Sequence, residues 1–535
     1  MSRGGLIARN AAFLFGGQAV SWSLGLVFIV VVPRSVGASA WGEWSLAWAL
    51  TSVAASFSSM GLTTLLIKEI SRDQSRAREY IGAAITAQAM LAVPFLLLIL
   101  AFINSAGYSA HTRLIITLVT AASLVAFLAV PVSAGLQALE KMHYSSLGQI
   151  LTSGVLSLIA VLLVKFAAVG MVTISVAAVA AAVAAASIQL YGLSRRVRVW
   201  PRGDWKLIRH LIVGGLPYWA SGLFLTFYVW IDTVMLSLMT STTEVGWYGA
   251  ATRLISTLGV LPYIINMAIF PALSHGFRHD REGMSRLAQT SLRIVLSLGL
   301  PMVVGVVLLG PLIVQLLYGW AFAPAAPIVV VLCLTLLPIF TATLVNGQLV
   351  AADRQLAWTG VMTACCVVNP VLNLTLIALF ERLYQNGALG ASYALLITDS
   401  LVGVAAVALL PRDVLGKMGV ILPQLGRAAL AAGIMGAAVF LLRQQFVLIQ
   451  ILTGVATFTV AALILRVFTP ADLDLVRRLT GMLGARLGLR QFRAGPPVDP
   501  PTDDRLGEPT VAAEEIAPAT EARLGEPAAA AREGR

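Results

Sequence analysis

The sequence predicts an all-α polytopic membrane protein with about fourteen transmembrane helices. Of its 535 residues, 58% are hydrophobic and only 12% are charged, with a mean hydropathy of +0.86. A soluble domain is nearer half apolar and a quarter charged. The apolar residues come in blocks of about 20, roughly the number of helical residues that crosses a bilayer core. Those blocks do not alternate with period two, which excludes a closed β-barrel.

In chain order the spans fall near residues 11–32, 44–66, 81–103, 114–136, 147–168, 171–193 and 211–238. They continue near 246–271, 289–311, 326–350, 358–379, 388–410, 424–442 and 446–467. Alternate connections differ sharply in charge. One set holds Lys68, Arg72, Arg76, Arg78, Lys141, Arg195, Arg196, Arg198, Arg202, Lys206 and Arg209, followed by Arg278, Arg281, Arg286, Arg354, Arg412, Lys417 and Arg427. The other set holds Arg34, Arg113, Lys165, Arg382 and Arg443. Positive charge is retained on the cytoplasmic side, so the basic set and both termini are expected there.

This gives an N-terminal lobe of six spans over 1–194, a basic cytoplasmic connector over 195–210 and a C-terminal lobe of six spans over 211–410. Two extra spans occupy 411–468, an interfacial amphipathic helix 469–493, and a disordered cytoplasmic tail 494–535. The connector reads RRVRVWPRGDWKLIRH, with Trp200 and Trp205 expected at headgroup level. After the last span, Thr469 suits an N-cap and Pro470 the first helical position. Leu473, Val476, Leu479 and Leu483 then form an apolar stripe opposite basic side chains, a pattern that lies on a membrane surface and binds anionic lipids. The tail is rich in Pro, Ala and Glu and repeats RLGEP at 505–509 and 523–527.

Several function classes lose ground on composition alone. The formal charge of +12 sits in short connections without interleaved aromatics, so no nucleic-acid partner is expected. Cys333, Cys365 and Cys366 lie inside apolar blocks, which argues against a disulfide framework or metal site. His275 and His279 have helical spacing beside Asp280, but in a loop too basic for a metal. The N-terminal MSRGGLIARNAAFLF reads as a basic lead into a full span without a cleavage site. The loops of the less basic side are too short to fold a catalytic module, which weighs against a membrane polysaccharide polymerase or ligase. No nucleophile–base pair, phosphate-cradling glycine loop or metal-ligand spacing is present, so neither an enzyme nor a cofactor is expected.

Two internal matches suggest a repeat. ALEKMHYSSLGQI from Ala138 parallels AADRQLAWTGVMT from Ala351, setting Glu140-Lys141 against Asp353-Arg354. WGEWSLA from Trp41 parallels VGWYGAA from Val245. Six spans per half is an even number, so both halves enter the membrane from one side and form parallel repeats about an axis along its normal. That is a transporter architecture, in which access alternates as the halves rock.

The stretches PRSVGASAWGEWSLA (33–47), GLTTLLIKEISRD (61–73), ID with VGWYGAATRL (231–232, 245–254), QLVAADRQ (348–355) and NPVLNLTLI (369–377) carry a resemblance. Over roughly residues 5–465 the chain resembles the O-antigen and polysaccharide flippases of the multidrug/oligosaccharidyl-lipid/polysaccharide exporter superfamily. The resemblance implies two lobes around a central cavity in the bacterial inner membrane. It also implies transfer of polyprenyl-diphosphate-linked oligosaccharide between leaflets for surface polysaccharide synthesis, with membrane lipids and polysaccharide polymerase machinery as further partners. Two departures keep alternatives open. Lipid II flippases of this superfamily use several arginines in the first two spans, where this chain offers only Arg34. Drug exporters carry an acid in the first span, where this chain has Gln18, Ser21 and Ser23. A lipid II flippase or a cation-coupled multidrug exporter remains the alternative.

The candidate site residues are polar groups inside apolar spans. An ionisable group there costs about 2.5–3.5 kcal/mol on insertion scales and normally faces a cavity or a partner. Asp232, six residues before the end of its span, and Arg253, seven past the start of the next, are expected at similar depth as an ion pair. The resemblance implies that Arg253 meets the substrate diphosphate when this pair opens. Asp399 is an ion-coupling candidate, set against the commoner reading of a buried neutral or hydrogen-bonded acid. Arg34 and Glu43 flank the first outer loop, either snorkelling or gating. Asn346, Gln348, Asn369 and Asn373 supply amides for helix contacts or sugar. Lys68, Lys141 and Arg354 end spans on the basic side.

Overall fold

The computed structural model describes residues 21–167, 169–197, 200–201, 203–352, 354–410, 418–469 and 472. Gln18, Arg198, Arg202, Asp353, Arg412, Lys417, the expected interfacial helix beyond Asp472 and the tail lie outside the described residues, as do the side chains of His275, Arg278 and His279. Among the described residues all regular structure is helical. Twelve helices are long and apolar enough to cross a bilayer, or thirteen when one bent pair counts as a span. With the shorter apolar helix Ser21–Val36, they follow the order of the fourteen expected spans.

Helix α1 (Ser21–Val36) is joined to α2 (Ala38–Ser58) by Gly37 alone. The turn needs φ +86° there, a conformation that glycine adopts without a Cβ clash. α2 and α3 (Leu62–Arg72) form the bent pair, at 50° to each other, with Gly61 at φ +65° in the bend. α4 (Ala77–Ser105) and α5 (Ala110–Leu128) follow, and α6 (Val130–Ala138) completes the fourth span after a break at Ala129. The fifth span comprises α7 (Met142–Gln149), a π-helical stretch Ile150–Val155 and α8 (Leu156–Ala167). α9 (Met171–Ser194) ends the first half.

The second half starts earlier than expected. α10 (Trp205–Met239) takes in the last six residues of the connector, because Asp204 caps its start by accepting from the amides of Lys206 and Leu207 at 3.0 and 3.3 Å. Trp200 and Trp205 are largely exposed. α11 (Thr242–Leu258) and α12 (Val260–His279) share the eighth span, α13 (Arg281–Tyr318) forms the ninth, and α14 (Ala325–Leu334) with α15 (Leu336–Ala351) the tenth. α16 (Gln355–Tyr384), α17 (Gly387–Leu409), α18 (Met418–Leu441) and α19 (Val447–Ile464) complete the described helices.

Both internal matches have structural counterparts. At the end of α6, the amides of Leu139 and Lys141 donate to the carbonyls of Gly135 and Leu136; at the end of α15, those of Ala352 and Arg354 donate to Gln348 and Leu349. The two turns are closed by the same pair of bonds. α2 packs against α10 and α11, and its closest approach to α11 is reciprocal. A Cβ on Gly42 would lie 1.8 Å from the carbonyl oxygen of Thr242, and one on Gly246 would lie 1.9 Å from that of Ala38. Ala38 and Thr242 hold matching places in the two segments, as do Gly42 and Gly246, so the contact has the form a two-fold relation requires. Small residues here let two backbones touch, which is how helices associate where lipid tails remove the hydrophobic drive. One apolar core, including Trp41, Phe95, Tyr248 and Phe340, runs through both halves.

Candidate functional site

The site grows from one helical repeat on α10. Tyr228 and Asp232 are four residues apart, so they share a face. That face meets α16 and α17. Asp232 is 1% exposed. Its carboxylate accepts from the Tyr248 hydroxyl at 2.9 Å and from Asn373 Nδ2 at 2.6 Å. The same Asn373 amide donates to Oδ1 of Asn369, one turn earlier on α16, at 2.9 Å. Next to this group, Asp399 on α17 accepts from the Tyr228 hydroxyl at 2.5 Å. Asp232, Asn369, Asn373, Tyr248 and Asp399 are all buried.

The expected ion pair is not formed. Arg253 is exposed and lies over the Trp230 ring, 5.7 Å from its centroid, in a cation–π contact. The reason is the position of the helix start. Ser241 and Glu244 make a reciprocal capping box, which begins α11 at Thr242 rather than near 246. The hairpin turn therefore lies between Met239 and Thr242, and Tyr248 comes to the depth of Asp232. Arg253 lies more than a turn further along.

Among the described residues no Lys, Arg or His bonds to Asp232 or Asp399. Among the described residues three atoms of the cluster lack a partner: Oδ2 of Asp399, Oδ1 of Asn373 and Nδ2 of Asn369. Two buried acids with neutral phenol and amide neighbours, plus an amide oxygen with no donor, form a set of hard oxygens. Such a set suits a proton or a small hard cation. It could not hold an anion.

The other candidates are placed elsewhere. Arg34 donates through Nη1 to the carbonyl of Leu316 at 2.7 Å, in the last turn of α13, where the helix dipole favours a cation. It joins the two halves and contributes nothing to the cluster. Glu43 does not snorkel: it is buried, accepting from Thr112 Oγ1 at 2.7 Å and contacting His111 Nδ1 at 3.0 Å. Asn346 is half-buried and outside the cluster. Gln348 is buried, with both amide atoms unpaired among the described residues. Lys68 reaches the Tyr218 hydroxyl at 3.4 Å. The three cysteines are free and buried.

Sequence reasoning missed the phenols. Tyr228 was signalled by its spacing of four from Asp232, and Tyr248 by the hairpin depth once the cap is placed. It also missed Arg293 inside α13, which pairs with buried Asp472 and donates to Gln424 Oε1 at 2.8 Å. An arginine inside an apolar span was the signal.

A chain of this many spans, with halves meeting along α2, α10 and α11 and an uncompensated acid cluster beside that contact, belongs to the class of multi-pass membrane carriers. Residues 7–277 match the polysaccharide biosynthesis protein family, and residues 217–375 match the MatE family. The first match covers half the chain, and the chain belongs to that family, within the flippases and exporters of the multidrug/oligosaccharidyl-lipid/polysaccharide exporter superfamily. The chain is 26% identical over 420 residues to the probable flippase AglR of Haloferax volcanii, covering 76% of this chain and 84% of that one. Its fold is similar to that of the lipid II flippase MurJ in an inward closed conformation, with a TM-score of 0.66 at 15% identity over 85% of this chain and 98% of that one. An inward-facing multidrug resistance MATE transporter gives 0.57, at 15% identity over 75% and 94%.

Proposed function

We propose that this protein moves a polyprenyl-diphosphate-linked oligosaccharide from the inner to the outer leaflet by alternating access, driven by a cation or proton held at Asp232 and Asp399. A sugar head carrying a diphosphate cannot enter hydrocarbon without losing its hydration uncompensated. A carrier supplies polar contacts while the polyprenyl tail stays in lipid. No bond is made or broken. The observation that carries the reading is the separation of charges in the second half: Arg253 is exposed with the Trp230 ring beneath it, while both buried acids lack a basic partner among the described residues. The arginine is free for a diphosphate, and the acids are free for a cation. Membership of a polysaccharide biosynthesis family and the similarity to two proteins named as flippases support this substrate class. In this reading the basic connections and both termini face the cytoplasm, and the membrane is the bacterial inner membrane.

One observation favours a second reading, cation-coupled export of a small molecule: the MatE match covers the segment holding Asp232, Asn369 and Asn373. Mass spectrometry of polyprenyl-linked lipids from cells depleted of the protein separates the two. Accumulation of one diphosphate-linked oligosaccharide is expected and would name the glycan. An unchanged lipid-linked pool with intact surface glycans would leave small-molecule export in its place.

A further inference from the structure

The first half of the chain holds a second polar site, remote in sequence from the acid cluster. A cavity of about 480 Å³ opens between the fourth, fifth and sixth spans. Its polar lining is Ser133 and Gln137 from α6, Ser145 from α7, Gln149 and Thr152 from the fifth span, and Gln189 from α9. Among the described residues no charged side chain lines it, and most of the remaining wall is alanine. Its volume falls in the range of small-molecule sites, about 300–1,000 Å³.

The backbone is adapted to this cavity. The fourth span breaks at Ala129 and restarts through Pro131, and the fifth widens into its π-helical stretch, both within the cavity wall. Breaks of this kind recur at functional sites. A Cβ on Gly148 would lie 2.1 Å from Gln189 Nε2, so glycine is what admits that amide. Thr152 bonds the carbonyl of Gly148 at 3.0 Å, but the contacts among Gln137, Ser133 and Ser145 are long. Gln137 to Ser133 and Ser133 to Ser145 are both 3.4 Å, beyond the usual range for good hydrogen bonds. Gln189 has no hydrogen-bond partner among the described residues. Gln137 and Gln189 lie toward the end of their spans that bears Lys141, Arg195 and Arg196.

We infer that this cavity is a subsite for an uncharged sugar unit. Amides and hydroxyls both donate and accept, as ring hydroxyls require, and flat alanine walls suit the apolar face of a sugar ring. A diphosphate would demand cationic donors, which the wall lacks. The inference rests on the lipid-linked glycan reading above and assigns the glycan head, rather than the diphosphate, to the first half.

The test uses the full-length protein taken from its own cells in native-membrane nanodiscs. Native mass spectrometry then measures the ratio of glycan-bearing to bare polyprenyl diphosphate bound to it. Wild type is compared with Gln189→Ala, Gln137→Ala and the double variant; the two side chains are half-buried at a cavity wall, so either single variant remains informative if the double one folds poorly. Expected is a ratio lowered severalfold by each change and about tenfold by both, with bare lipid unchanged. The same ratio in every folded variant would overturn the inference while leaving the transport reading standing. If wild type carries neither lipid, the transport reading fails and this inference fails with it.

Discussion

Asp232 owes its partners to the few residues that cap the next helix. Moving the start of α11 to Thr242 exchanges Arg253 for Tyr248 at the depth of the carboxylate, and replaces an expected ion pair with hydrogen bonds from uncharged donors. Two outcomes follow for a reconstituted transport assay. Asp232→Ala and Arg253→Ala should lower the rate additively, because the side chains do not touch. Asp232→Asn and Tyr248→Phe should be non-additive, with a coupling of about 1 kcal/mol. The acid cluster makes a separate prediction: Asp232→Asn or Asp399→Asn should abolish stimulation by an imposed sodium or proton gradient, and a gradient response equal to wild type in both would remove the acids from coupling. At this scale the sequence revealed which residues are unusual, since an acid or paired asparagines inside an apolar block stand out. It did not reveal who meets whom. A shift of four residues in one helix start is within the uncertainty of any boundary read from hydropathy, yet it turns a side chain through more than a full helical turn.

At the scale of elements, the spans were legible because each must bury about 20 apolar residues in hydrocarbon. Their interruptions were not. The break at Ala129 and the π-helical stretch Ile150–Val155 occur in apolar sequence with no signal beyond Pro131 and Gly154. They depend on the packing of neighbouring helices. The contact of α2 with α11 is open to test. Ser39 and Thr242 hydroxyls lie 2.9 Å apart across the two halves. Paired Ser39→Cys and Thr242→Cys variants should cross-link on oxidation and stop transport, with activity restored by reductant; a cross-linked protein that still transports would exclude separation of these helices from the cycle. Valine at Gly42 or Gly246 should prevent the close approach, seen as increased labelling of single cysteines at Ser39 or Thr242. A further prediction concerns the end of the described chain. Arg293→Met strands the buried Asp472 carboxylate and should cost about 3–5 kcal/mol, whereas Arg293→Met with Asp472→Leu should recover most of it, as thermal unfolding in detergent would show.

For the whole molecule, the parallel relation of the two halves was foreshadowed by matches of only a few residues. It is expressed in paired turn bonds and in the reciprocal glycine contact. In the proposed cycle α2 and α11 would meet and part as equivalent elements, as rocking between two access states requires. In the proposed cycle, the exposed arginine of the second half would take the diphosphate and its buried acids the driving cation. The most direct measurement is leaflet exposure of a polyprenyl-diphosphate oligosaccharide in proteoliposomes, read by an impermeant glycan-modifying enzyme added outside. Wild type is expected to expose the initially enclosed lipid when a cation or proton gradient is imposed, and Asp232→Asn with intact folding is expected not to respond to the gradient. Wild-type vesicles that leave the lipid enclosed under every gradient, while the same preparation exports a small cationic drug, would contradict it.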